Sequence, residues 1–327
     1  MDLIKEIHQF LKTEIDQMNE SILNSLSATE ELVSLVGNYI AKSGGKRIRP
    51  ILTLLSAKMF GSTNGNSIKL ASAVEFIHMA TLLHDDVVDG SKMRRFLPTA
   101  NVIWGSRASI LVGDFLFSQS FKLIVDTKSI DSMVVLSNAS AIIAEGEVAQ
   151  LASLEQQRII SEDEYLRINN AKTAELFGAA CEVGGLIAGK PSKYSKALRD
   201  FGMNLGNIFQ IVDDLLDYFS EAKTTGKNIG DDFAEGKVTL PIIFLAKKLS
   251  SEDQSKLITL IVAPARTADD FSWVTDLMIK FNIKDEVLDY IQKFKIAANE
   301  ALSVIDIENQ CKEYLRSLID FAANRSY

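Results

Sequence analysis

The run His84-Asp85-Asp86-Val87-Val88-Asp89 sets three carboxylates within five positions, at the end of the apolar stretch Ala73 to Leu83. On a helix, Asp85 and Asp89 stand at i and i+4 and share a face, with Asp86 about a hundred degrees round. Like charges this close are destabilising unless a cation sits between them. Ligands that offer only oxygen suit a hard cation such as Mg²⁺, which takes one or two carboxylates and fills its sphere with water and substrate phosphate. Alone, the spacing is more often a solvated helix face. The chain then repeats it. Asp213-Asp214-Leu215-Leu216-Asp217 follows the apolar stretch Asn207 to Val212 and precedes Lys223 and Lys227. Two such pentads, each in a hydrophobic setting, predict a pair facing across a cleft and clamping a metal-bound polyphosphate.

Cations cluster where an anion site needs them. Ser43-Gly44-Gly45-Lys46-Arg47-Ile48-Arg49-Pro50 puts two glycines and three cations ahead of a proline that can sit in the first turn of a helix. The stretch reads either as a phosphate cradle or as a flexible loop with solvated charges. Arg94 and Arg95 diverge from one another and can serve two anions, guanidinium being suited to bidentate phosphate contact. His78 lies two turns before Asp85 on the same face, either a satisfied core residue or a phosphate donor. Lys172 and Thr173 sit among small residues (Ala171, Ala174, Gly178) where a lysine is unusual, though it can snorkel.

These groups need helices to hold them. Leu3 to Leu26 has helical apolar spacing throughout, and further helices are predicted at 29–42, 68–89, 108–125, 133–154 and 237–249, with the second pentad's helix ending near Phe219. The 108–125 and 133–154 stretches are apolar on most sides and read as core. Glu145, Glu147 and Gln150 interrupt the second of them, and buried polar pairing is the favoured reading over cleft wall. Ser161-x-x-Glu164 and Ser251-x-x-Gln254 read as capping boxes. Residues 90–99 and 224–236 read as loops, the latter a cationic lid on phosphate carrying Lys227 and Lys237. Strand alternation, fixed repeats and linkers are not found, so the expectation is one all-helical bundle over residues 1–327.

Composition fits that picture. Of 327 residues 47% are hydrophobic and 24% charged, with five prolines, as expected for a globular chain with a large core. A net charge of −8 argues against a general nucleic-acid binder. Cys181 and Cys311 form no paired motif, which suggests a reducing compartment and no zinc site. The first residues lack the pattern of a signal or transit peptide, and no uninterrupted apolar run of about eighteen residues appears, so a cytoplasmic protein is expected.

Taken in order, GGKRIRP, LLHDDVVDGSKMRR, AKTAELF, FQIVDDLLDY and TGKNIGDDFAEGKVTLP make the sequence resemble the trans-isoprenyl diphosphate synthases, most closely their long-chain, octaprenyl-like branch. The resemblance covers nearly the whole chain. It implies the all-α bundle of the isoprenoid synthases with a central cleft. It implies that Asp85, Asp89 and Asp213 hold Mg²⁺ ions (about three with substrate bound), with Asp86, Asp214 and Asp217 supporting them directly or through water. It assigns Arg94, Lys172, Thr173, Gln210, Lys227 and Lys237 to the allylic diphosphate, and Lys46, Arg49, His78 and Arg95 to isopentenyl diphosphate. The implied chemistry is ionisation, condensation and elimination, with farnesyl diphosphate as the expected starter and no protein nucleophile. Ala80 and Thr81 occupy positions where short-chain members commonly carry blocking aromatics. Small side chains there leave a tunnel open and imply a product of about C40 to C50, octaprenyl foremost, as a respiratory quinone side chain, with each helical turn of about 5.4 Å worth roughly one prenyl unit. Phe117 and Phe121 are candidates for the tunnel floor. A homodimer, and transient membrane contact for product release, are further expectations.

One departure is Phe96-Leu97 after the arginine pair, where the family usually has a small or basic residue. A terpene cyclase would leave GGKRIRP and Arg95 unexplained, and a non-catalytic partner subunit tends to lose aspartates that are intact here.

Overall fold

A computed structural model describes residues 2–27, 30–62, 64–156, 158–219 and 229–325. The chain opens with α1 (Leu3–Phe10) and α2 (Lys12–Ser25), where one continuous helix is expected from the sequence. The break falls at Leu11 (φ −100°, ψ 17°), whose side chain is fully buried, so Ile4, Ile7, Leu11, Ile15, Met18, Ile22 and Leu26 still form one apolar face. Next come α3 (Glu31–Lys42), α4 (Ile48–Met59) and α5 (Gly65–Val88). Asn64 caps α5 by accepting from the amides of Asn66 and Ser67. Because α4 and α5 are apolar nearly all round, both run through the interior and bury residues on every side.

The segment 90–99 is not simply a loop. It folds as a small antiparallel hairpin, β1 (Met93–Arg94) against β2 (Leu97–Pro98), with Met93 paired to Pro98 and Arg94 to Leu97. Its turn residues Arg95 (φ 51°) and Phe96 (φ 65°) both lie in the left-handed region, the geometry of a type I′ turn, usually built from Asn and Gly. This tight pair escapes a search for alternation because each strand has two residues.

There follow α6 (Ala100–Trp104), α7 (Ser106–Asp126), α8 (Ile130–Glu155) and α9 (Glu162–Asn169). A π-turn (Asn170–Ala174) then leads into α10 (Glu175–Ile187) and α11 (Ser192–Phe219). The expectation that α7 and α8 are core on most sides is only half right. Their inner faces pack on the bundle, but Leu111 and Val148 are each 67% exposed, and Ile110, Val125, Ile130, Val134 and Leu151 are exposed with them. By length and mean hydropathy (1.4) α7 could cross a membrane; here one face of it packs on α5.

The interior is centred on α10, which contacts α4, α5, α8 and α11. Glycine makes the crossings close: a Cβ on Gly202 of α11 would lie 2.4 Å from the Phe177 carbonyl oxygen, and one on Gly206 2.6 Å from the Ala174 Cα. The chain finishes with α12 (Asp231–Glu235), α13 (Leu240–Lys248), α14 (Ser251–Val262), α15 (Ala268–Lys280), α16 (Ile283–Ser303) and α17 (Gln310–Ala323). Ser250, not Ser251, caps α14, accepting from the Asp253 amide at 3.1 Å. At α9, Ser161 does accept from the Glu164 amide as expected. One hydrophobic cluster runs from Ile4 to Ala323, and the architecture is the expected all-α bundle apart from the short hairpin.

Candidate active site

The two pentads end up on α5 and α11, and both face one cavity of about 710 Å³, within the usual size range of ligand sites. Asp85, Asp89, Asp213, Asp214 and Asp217 line it, together with Lys46, Arg49, His78, Thr81, Arg94, Arg95, Lys172, Thr173, Gln210 and Lys237. Lys227 lies outside the described residues. Asp86 and Ala80 do not reach the cavity wall. Asp86 is 1% exposed and takes Arg94 from behind, with Nη2 at 2.7 Å and Nε at 3.0 Å from its Oδ1. It is therefore an anchor for Arg94. Ala80 is buried in the core, while Thr81 lines the cavity and donates to the His78 carbonyl at 2.9 Å. Phe117 and Phe121 stack edge-to-face at 5.1 Å on α7, away from this lining.

One half of the cavity is governed by carboxylates. Burial first, then crowding by Asp89 and Asp86, outweighs the attraction of Lys172 and Arg94 and lifts the Asp85 carboxyl above its ordinary range. Lys237 reaches across from the segment after α12 to Asp89 at 3.4 Å, and also to Glu235 at 2.5 Å and Asp232 at 3.9 Å. Burial opposes its charge, but these three acids outweigh burial and raise its pKa. Lys172 stands in the π-turn with its ammonium 2.7 Å from Glu147 Oε2 and 2.6 Å from Gln150 Oε1. Glu147 and Gln150 are therefore cleft wall, not the buried bundle-stabilising pair favoured from the sequence, and Glu145 faces solvent. Their i, i+3 spacing was the available signal: Glu147 and Gln150 share a helix face that Glu145 does not.

The other half is governed by cations. Arg49 stacks over the Phe177 ring at 4.5 Å, and its Nη1 lies 3.2 Å from His78 Nε2. Burial lowers the Arg49 pKa to about 10, and burial together with Arg49 holds His78 well below its ordinary value, so the imidazole is neutral. With Nε2 accepting from Arg49, the proton sits on Nδ1. Among the described residues the buried Arg49 Nε–H has no partner. Burial, then repulsion from Arg325, pulls Lys46 down. Gly45 (φ 140°) lets the backbone pass so close to Arg95 that a Cβ there would be 2.6 Å from Nη1. Arg47, itself in the left-handed conformation at the start of α4, pairs with Glu75 at 2.5 Å and donates to the Ala41 carbonyl at 2.9 Å. So all three cations of this stretch line the cavity, and Arg47 is the one held by a carboxylate of its own wall.

Arg325 was not visible in the sequence. The C-terminal helices read as purely structural, yet Arg325, after α17, lines the cavity. It donates to the Phe209 carbonyl at 2.6 Å, stacks on the Phe209 ring at 4.0 Å and lies 3.5 Å from Asp213.

Among the described residues no three His, Cys, Asp or Glu side chains are gathered tightly enough to form a ready metal cluster. The donors nonetheless fit Mg²⁺. They are hard oxygens from two helices lining one cavity, Asp85 is crowded by Asp89 and Asp86, and Mg²⁺ needs few protein ligands when phosphate supplies the rest.

The polyprenyl synthetase family model matches residues 30–278. An octaprenyl diphosphate synthase of Haemophilus influenzae is 38% identical over 99% of this chain and 98% of its own. An all-trans-nonaprenyl-diphosphate synthase (geranyl-diphosphate specific) of Rhodobacter capsulatus is 41% identical over 94% of each chain. The crystal structure of a polyprenyl synthase from Caulobacter crescentus, complexed with calcium and isoprenyl diphosphate, superposes with a TM-score of 0.94 at 40% identity over 98% of each chain.

Proposed function

Since the chain belongs to the polyprenyl synthetase family and is a prenyltransferase, we propose that it is a long-chain trans-polyprenyl diphosphate synthase. It adds isopentenyl diphosphate units to an allylic diphosphate, with farnesyl diphosphate as starter, to give a product of about C40 to C50, octaprenyl foremost. The observation that carries this reading is the division of one cavity into a half where the two aspartate pentads gather and a separate half lined by Lys46, Arg49, His78 and Arg95. A single-substrate diphosphate lyase has no use for the second half.

Asp85, Asp89 and Asp213 would hold Mg²⁺, which when bound neutralises the diphosphate and makes it a better leaving group. Lys172, Lys237 and Arg94 bind the same diphosphate as point charges and a planar fork. Lys46, Arg49 and Arg95 bind the isopentenyl diphosphate, and the neutral His78 donates through Nδ1–H. The C1–O bond of the allylic substrate breaks, and the isopentenyl double bond attacks the allylic cation. The released pyrophosphate takes the proton that restores a double bond. Leu82, Ile168, Leu216 and Val238 line the cavity and exclude water, which would otherwise trap the cation as an alcohol. The small side chain of Thr81 on the cavity wall leaves room for a growing chain, and names of relatives reaching octaprenyl and nonaprenyl length support a long product.

The exposed apolar face of α7 and α8 supports a homodimer in which two copies cover Leu111 and Val148. Use of the product as a quinone side chain, and membrane contact at its release, follow from the product's expected apolarity. The test is purified protein with Mg²⁺, farnesyl diphosphate and labelled isopentenyl diphosphate, with chain length read by chromatography. Products of C40 to C50 are expected, with loss of turnover and retained thermal stability in Asp85→Ala. Products stopping at C15 or C20 would refute the open-tunnel argument, and full activity of Asp85→Ala would refute the metal assignment.

A further inference from the structure

Asp214 has both carboxylate oxygens occupied by protein donors. Tyr165, on α9 and 6% exposed, donates its hydroxyl to Asp214 Oδ2 at 2.6 Å. Gln210, one turn before Asp214 on α11, donates Nε2 to Oδ1 at 2.7 Å. Gln210 Oε1 then accepts the Thr173 hydroxyl at 2.9 Å, from the π-turn. The four groups form one chain of hydrogen bonds that crosses three backbone segments, and Asp214 at its centre is 2% exposed.

The amide of Gln210 sets the donor and acceptor roles along this chain. An amide has one accepting and one donating end. A carboxylate oxygen facing Gln210 accepts, so the amide nitrogen must turn to Asp214 and the amide oxygen to Thr173. The single hydroxyl proton of Thr173 is then spent on Gln210, and Gln210 keeps a second N–H that no described residue accepts. We propose that Tyr165 is a positioning residue for the allylic diphosphate: by fixing Asp214 it sets the amide of Gln210 in one orientation, with its second N–H turned toward that ligand. This rests on the proposed function and extends it to a cavity residue that carries no charge.

Without the hydroxyl, one buried oxygen of Asp214 loses its partner, and the carboxylate can rotate to recover it from Gln210. The amide then follows. Tyr165→Phe is therefore expected to raise KM for the allylic diphosphate about tenfold or more, the equivalent of losing a hydrogen bond to a charged group, while KM for isopentenyl diphosphate stays within about twofold. Isosteric Asp214→Asn, which presents one acceptor and one donor in place of two acceptors, should give the same split. It carries the test alone if Tyr165→Phe does not fold. The double variant should be no worse than the poorer single one, because both act through one orientation.

The experiment measures both KM values and the melting temperature of the Mg²⁺-loaded full chain. A lower melting temperature with both KM values unchanged would mean that the Tyr165 bond only packs α9 on α11, and would overturn the inference. So would equal rises in both KM values, or multiplied losses in the double variant. If the wild type incorporates no isopentenyl unit, the functional reading falls and this inference with it. An active wild type beside an unaffected variant removes the inference alone.

Discussion

Gly45→Ala isolates the cation half of the cavity. At φ 140° the backbone of Gly45 is in a region that L-residues rarely adopt, and its missing Cβ would sit 2.6 Å from Arg95 Nη1 and 3.0 Å from Cζ and Nη2. Ordinary contact begins at 3.4 Å, so the guanidinium must retreat by about 0.8 Å, the difference between the two. A displacement of that size breaks a charge-assisted hydrogen bond to phosphate, about 1.5–3 kcal/mol, or roughly a ten- to hundredfold change in binding. The backbone itself costs a further ~1–3 kcal/mol in stability. Gly44→Ala separates the two effects, because Gly44 is also at positive φ (83°) but has nothing within 4 Å of its Cβ position. Steady-state kinetics with each substrate varied in turn, beside thermal melts, is the assay. Both variants should melt earlier. Gly45→Ala alone should raise KM for isopentenyl diphosphate at least tenfold, with the allylic KM within about twofold. A folded Gly45→Ala variant with wild-type isopentenyl KM would refute the assignment of Arg95, and matching kinetic losses in Gly44→Ala would show that loop strain, not the collision, is responsible.

Other outcomes follow from burial. His78 is held well below pKa 6.5 in the folded chain, so above that value it is neutral in both states and contributes no pH dependence. As pH falls through 6.5 the unfolded chain takes up a proton that the folded chain refuses, and stability drops by up to about 1.4 kcal/mol per pH unit. Melting temperatures of wild type and His78→Gln between pH 7.5 and 5 should diverge, the wild type falling more steeply; parallel curves would contradict a neutral buried imidazole. Gly202→Ala places a methyl 2.4 Å from the Phe177 carbonyl and 2.8 Å from the Gly178 Cα, backbone atoms that cannot rotate away. Overpacking of this kind costs about 3 kcal/mol, and a melting temperature within a degree of wild type would show that α10 and α11 have slack.

Much of the site could be read before the fold was known because its residues are local in sequence. Asp85 and Asp89 owe their shared face to helical spacing, and Lys46, Arg49, Arg94 and Arg95 belong to short runs whose composition already speaks of anions. What escaped is long-range or depends on backbone detail. Arg325 joins the cavity only because α17 packs back along α4 and α11. Tyr165 finds Asp214 across 49 positions. The burial of only one face of α7 and α8 is invisible to hydropathy, since an apolar face reads alike whether the bundle covers it or nothing does. The Arg95–Phe96 turn breaks the composition rules for its own geometry. The first lysine of the TGK stretch, Lys227, falls outside the described residues.

The π-turn at 170–174 has a consequence for how this helix can change. A π-turn closes with an i→i+5 bond, here Glu175 amide to Asn170 carbonyl, and amounts to an α-helix carrying one surplus residue. That surplus shifts the phase of everything downstream by one position. It allows α9 to keep Tyr165 and Ile168 buried and α10 to keep Leu176 and Phe177 buried, while Lys172 and Thr173, adjacent in sequence, both reach the cavity. Excising a single residue would restore a regular helix and force a choice, because either Lys172 leaves Glu147 or the inward side of α10 rotates by about a hundred degrees. Substitutions across this segment therefore sample side chains at leisure, whereas a one-codon deletion has no conservative outcome. Among related chains, gaps in an alignment should avoid these five positions even where residue identities drift.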